Sequence, residues 1–156
     1  MTEQEFGAYL ERAVKRRAER YVSRGFWREE VAVETARRDL AEWLPQGLRT
    51  PHHRFVQIVD ERTGSRLGEA CYTIEERGGK TQFWLDWITI DPEHRQEGHA
   101  TEALQEIAEE AARAGADRVN LKVFADNPGA KALYVRLGYV EMATDMVLLL
   151  HRAASE

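Results

Sequence analysis

Apolar side chains recur at Phe6, Leu10, Ala13, Val14, Tyr21 and Val22 with charges between them. That spacing predicts an amphipathic helix over residues 3–22, stopped by Ser23-Arg24-Gly25. A second apolar side, Trp27, Val31, Ala36, Leu40 and Trp43, predicts a helix over 27–44 that Pro45-Gln46-Gly47 closes. The period then falls to two. Strands are predicted over 53–60, 67–75 and 81–90, joined by the turns Glu61-Arg62-Thr63-Gly64 and Arg77-Gly78-Gly79-Lys80 as an antiparallel meander. An alanine-rich helix over about 97–114 and a strand over 118–125 follow, and a helix between two strands implies a parallel crossover. Asn127-Pro128-Gly129 opens a short helix over 129–136, and 139–150 reads as a terminal strand returning antiparallel. The expected fold is α+β: one mixed, mostly antiparallel sheet with helices on its faces, an α/β-type three-layer sandwich formed as a single domain over 1–156.

The stretch from Phe83 to Ala100, FWLDWITIDPEHRQEGHA, is where chemistry first enters. A buried strand breaks at Asp91-Pro92 and leads through Arg95-Gln96-Glu97-Gly98-His99-Ala100 into a helix. Successive N–H groups at a helix start have no intrahelical partner, and the helix dipole favours negative charge there. A phosphate-bearing cofactor at residues 95–100, its length lying along the strand end, is the expectation.

Composition narrows the setting. A chain of 156 residues with a formal net charge of -5 lacks the basic face of a nucleic-acid binder. The basic cluster Arg12 to Arg20 is interleaved with Glu11 and Glu19 at helical spacing and reads as a solvated helix face. One cysteine, Cys71, excludes an internal disulfide, suits a reducing compartment, and reads as a buried small hydrophobe. No apolar run spans a bilayer, and no signal-peptide pattern opens the chain. The expected setting is cytoplasmic, with neither membrane nor nucleic acid as partner. His52 and His53 point to opposite faces if both are in a strand, so no metal site is expected.

Two blocks together carry a resemblance. Arg95-Gln96-Glu97-Gly98-His99-Ala100 follows an apolar strand and matches the pattern Arg/Gln-x-x-Gly-x-Gly/Ala. Downstream, LKVFADNPGAKALYVRLGYVEM at Leu121 to Met142 sets an Asn before a helix carrying Leu-Tyr and then Gly-Tyr. In this order and spacing, residues 86 to 139 resemble the core of the GNAT superfamily of acyl-coenzyme A-dependent N-acyltransferases. The chain departs from that pattern in starting almost inside its first helix, where the family usually has a short strand before it, and in carrying His99 beside the permitted Ala100.

The resemblance implies acetyl-coenzyme A as co-substrate, without a metal. The N–H groups of Gln96, Glu97, Gly98, His99 and Ala100 would face its pyrophosphate, with Arg95 adding charge. The strand end at Trp87, Ile88 and Ile90 would splay from its parallel neighbour and leave backbone groups for the pantetheine arm, which Asn127 also resembles the family in contacting. Tyr134 occupies the family position near the coenzyme sulfur, where a phenol can act as general acid. The general base is sought among Asp86, Glu69, Glu75, Glu30 and Glu34, with Asp86 and Glu69 foremost. The acceptor side is expected from the first two helices and their junction, with Tyr72 and Trp84 as aromatic walls, and takes a small-molecule amine ahead of a protein. Pairing through the terminal strand would make a homodimer. A longer acyl group, a hydroxyl acceptor and a non-catalytic acyl-coenzyme A-binding module stay open as alternatives.

Overall fold

Thr2 caps the first helix with a reciprocal pair: its N–H donates to Glu5 Oε2 at 2.5 Å and its hydroxyl accepts from the Glu5 N–H at 3.3 Å. The computed structural model describes residues 1–148, which fall into two compact units, Met1–Lys122 and the residues from Val123 onward. In the first unit, α1 (Glu3–Ser23) leads to α2 (Glu29–Trp43). Trp27 lies outside α2, stacked 4.4 Å from Tyr21, so the helix starts later than its apolar spacing suggests. The two helices join through small side chains, Ala13 and Ala18 against Ala32 and Ala36, with Val14 and Leu40 completing the cluster.

Three antiparallel strands follow: β1 (His53–Val59), β2 (Arg66–Arg77) and β3 (Lys80–Ile90). Then come α3 (His99–Arg113) and β4 (Ala116–Leu121). The sheet order is β1-β2-β3-β4, with β4 parallel to β3. Gly115, at φ +76°, turns α3 directly into β4, so this strand lies earlier than the apolar run at 118–125 implies. No strand precedes α1 among the described residues.

Alternation along β2 divides the layers. Cys71 faces α1 and α2, in one cluster with Phe6, Tyr9, Leu44 and Phe55. Tyr72 points the other way, stacking on Phe83 and donating its hydroxyl to Glu110 of α3 at 2.5 Å. Tyr72 is therefore buried beneath α3 and is no wall of a site between the first two helices and the sheet, because a strand's neighbouring side chains cannot share a face. Tyr9 is fully buried, stacked 4.7 Å from Trp87 and edge-on to Phe55, contacts worth about 0.5–1.5 kcal/mol each beyond area burial.

Two irregularities shape the end of β3. Cys71 pairs with Trp87 and Tyr72 with Leu85, so Asp86 is the extra residue of a β-bulge. The parallel ladder to β4 reaches its last pair at Leu85↔Leu121, while β3 runs on to Ile90. Gly68 lies opposite Ile90, and a Cβ there would sit 2.2 Å from the Thr89 carbonyl oxygen, so only glycine lets the strands meet at this point.

In the second unit, α4 (Pro128–Arg136) starts at Asn127, whose side chain accepts from the Ala130 N–H at 3.2 Å. The predicted terminal strand does not form over 139–148, and its last two residues lie outside the described ones. Alternating Val140 and Met142 supply the pattern, but ladder bonds supply a strand, and these side chains stay exposed without any. The element offered for dimer pairing is thus missing over 139–148. No described helix is long and apolar enough to cross a membrane.

Candidate functional site

Beyond Ile90 the chain makes a 3-10 turn at Pro92–His94 and is tied back by the Arg95 Nε–H, which donates to the Ile90 carbonyl at 3.0 Å. Gln96 and Gly98 then take positive φ, +66° and +96°. Among the described residues, the backbone N–H groups of Gln96, Glu97, Gly98, His99 and Ala100 have no acceptor in the chain. Apart from its own chain neighbours, a Cβ added at Gly98 would meet no atom of the described residues within 4 Å, so the backbone is open to approach at this point. His99 sets its ring nitrogens 3.1 Å from Glu97 and 3.3 Å from Glu102. Each carboxylate can accept from a ring N–H, and the hydrogen bond to Glu102, followed by that to Glu97, raises the imidazole's pKa. Glu97 thus turns its side chain to His99.

Residues Asp86 to Ile90 extend past the last β4 pair. Ile90 is buried, Ile88 half-buried, and Trp87 packs into the cluster around Tyr9 with its indole N–H buried and without a partner among the described residues. Trp87 and Ile90 pack into the core, while the backbone of the strand runs on past its last β4 pair.

Asp86 sits at the bulge and lines a cavity of about 310 Å³ with Arg17, Asp39, Leu40, Trp43 and Trp87. Its Oδ2 accepts from the Thr73 hydroxyl at 2.7 Å and from the Cys71 thiol at 3.9 Å, while Oδ1 has no donor among the described residues. Asp86 reaches solvent, yet the walls around it strip away enough water to push its pKa up to about 6. Thr73 and the charge of His53 pull it down, and Glu75 adds to the rise. Burial pushes the Cys71 thiol well above its ordinary range, leaving no ready nucleophile beside the carboxylate.

Glu69, the other foremost base candidate, is 1% exposed and enclosed by Arg12 at 2.5 Å, Arg16 at 3.0 Å and Arg66 at 3.0 Å. Burial pushes its carboxyl up, but the hydrogen bonds and charges of Arg12 and Arg16 outweigh that and hold it below the usual range. It is a tethered anion with little basicity. The basic stretch of α1 is correspondingly no simple solvated face: Arg12 and Arg16 hold Glu69, and Arg17 donates to Asp39 at 2.8 Å.

Asn127 and Tyr134 belong to the second unit. Asn127 is an exposed cap of α4. Tyr134 packs edge-on to Tyr139, ring centroids 5.6 Å apart, and burial raises its pKa.

A model of the acetyltransferase (GNAT) family matches residues 10–139. The chain belongs to the GNAT family. Two uncharacterized N-acetyltransferases of Bacillus subtilis (strain 168) are similar along most of their length. One is YdgE, 31% identical over 89% of this chain and 88% of its own, and the other is YycN, 30% identical over 95% and 93%. The crystal structure of YycN superposes with a TM-score of 0.90 at 28% identity, covering 97% of this chain and 96% of that one.

The strand, glycine turn and helix start, together with the GNAT pattern, make residues 95–100 legible in the sequence, and a carboxylate inside an apolar strand marks Asp86. Thr73, Arg17 and Asp39 were not singled out. Thr73 meets Asp86 only across the β2–β3 pair, and Arg17 meets Asp39 only once α1 and α2 pack together. Gly68, alone inside an apolar strand, was the available signal for close backbone approach.

Proposed function

We propose that this GNAT protein is an acetyltransferase that moves an acetyl group from acetyl-coenzyme A directly to a primary amine, in the cytoplasm. Five adjacent backbone N–H donors at a helix start, without acceptors among the described residues and with open space beside Gly98, are the observation that carries the reading. Their chemistry fits a diphosphate, and Arg95 adds a positive charge beside them. The backbone of Trp87, Ile88 and Ile90, past the end of the parallel ladder, suits the amides of the pantetheine arm, and Asn127 is assigned to the same arm. Acetyl-coenzyme A, when bound, supplies a thioester that an amine can attack with sulfur as the leaving group.

The remaining work is proton handling. An amine reaches the site mostly as ammonium and must lose a proton before it attacks. Asp86 is the base: its Oδ1 is open, and a pKa of about 6 leaves it ionised yet basic near neutral pH. Glu69, held low by its arginines, is given a structural role instead. Tyr134, whose raised pKa keeps its hydroxyl protonated, is assigned as general acid for the leaving group.

The test is thiol release from acetyl-coenzyme A with a panel of primary amines, for wild type and Asp86→Asn. The variant should lose about 10²-fold or more in turnover while its affinity for coenzyme A is unchanged. An equal rate in the variant would remove Asp86 from the reaction, and no transfer to any amine would remove the reaction itself.

A further inference from the structure

The cavity beside Asp86 specifies more about the acceptor than that it is an amine. Its lining includes the indoles of Trp43 and Trp87, 5.7 Å apart between centroids, and the buried Leu40. Arg17 and Asp39 complete it. Arg17 is held in place three ways. Its Nε and Nη2 both donate to Asp39 Oδ2, at 3.3 and 2.8 Å. Its guanidinium also lies 4.9 Å from the Tyr21 ring centroid and 5.5 Å from that of Trp27.

Charge and size then select. Arg17 and Asp39 cancel each other, so Asp86 leaves the cavity with a single negative charge above its pKa. One ammonium balances that charge. A carboxylate on the same ligand would restore the imbalance, because the charge of Arg17 is already balanced by Asp39. At about 310 Å³ the cavity lies at the lower end of small-ligand pockets, which run roughly 300–1,000 Å³.

We infer that the acceptor is a small primary amine bearing one positive charge and an uncharged, apolar body, seated against Trp43, Trp87 and Leu40, with Arg17–Asp39 excluding anionic and zwitterionic amines. This rests on the acetyltransferase reading for the meaning of Asp86, but the pocket is tested by equilibrium binding, without coenzyme A or turnover. Phenethylamine, L-phenylalanine and the tripeptide Phe-Ala-Ala share an aromatic body and differ in what is attached to it. Titration by calorimetry, with indole fluorescence as a second readout, should show phenethylamine binding at least about tenfold more tightly than either of the others, a difference of about 1.4 kcal/mol. Arg17→Gln, checked for folding by its melting temperature, leaves Asp39 uncompensated. It should raise affinity for cadaverine, an alkyl diamine, about tenfold over wild type.

L-phenylalanine or the tripeptide binding as well as phenethylamine would overturn the inference, as would no binding of phenethylamine or a cadaverine affinity unmoved by Arg17→Gln. Phenethylamine that binds as expected but is never acetylated would count against the acetyltransferase reading and leave the pocket's selectivity standing.

Discussion

The hydroxyl of Thr73 donates to Oδ2 of Asp86 at 2.7 Å, joining two neighbouring strands at the bulge that sets Asp86 into its cavity. This hydrogen bond favours the charged carboxylate and works against burial, which pushes the pKa up to about 6. A base must be ionised to accept a proton, so transfer should rise with pH through about 6 and level off above it. Thr73→Val removes the opposing hydrogen bond, and the carboxyl pKa should climb further. The rising limb of kcat/KM against pH should move to higher pH, while the plateau and the affinity for coenzyme A stay close to wild type. A limb that stays in place would mean that another group titrates there.

Glu69 makes the opposite case, a carboxylate whose partners win over burial. Glu69→Gln leaves Arg12, Arg16 and Arg66 facing a neutral amide. The loss should be about 2–3 kcal/mol, below the usual range for a broken buried pair because the guanidiniums remain partly in water, or roughly 4–12 °C in Tm. The pH dependence has a definite sign. The folded carboxyl titrates below its ordinary value of 4.5, so its contribution is fully present above that value and is lost as pH falls through the folded pKa. Wild type and variant should therefore converge in stability in acid, measured by thermal melts across pH. A constant difference down to low pH would contradict this.

Tyr134→Phe keeps the ring that packs on Tyr139 and removes only the hydroxyl. Turnover should fall about 10²-fold or more with coenzyme A affinity retained, if the phenol is the acid for the leaving group. Steady-state kinetics beside calorimetry on the same preparation separates the two quantities, and undiminished turnover would return Tyr134 to a packing role.

Much of this architecture was legible in the chain because local signals and tertiary demands agree. Phe6, Ala13 and Val14 mark the buried stripe of α1, and the glycine turns at 64 and 78–79 fix the meander. Gln96-Glu97-Gly98 announced its helix start in the same way. What failed to show depends on partners distant in sequence. Tyr9 looks like one aromatic among charges until Trp87 and Phe55 close on it. Arg12 and Arg16 read as solvated until Glu69 lies beneath them. The alternation at 139–148 promised a strand, but alternation states only which side chains would share a face, and without a ladder the backbone has no reason to extend.

The row of N–H donors at 96–100 bears the whole account, and calorimetric titration with acetyl-coenzyme A tests it most directly. Wild type should bind. Gly98→Val, placing a β-branched side chain where φ is +96°, should weaken binding by at least about tenfold while Tm confirms a folded chain. Wild type without affinity for acetyl-coenzyme A, or a folded Gly98→Val variant that binds it equally well, would contradict the account.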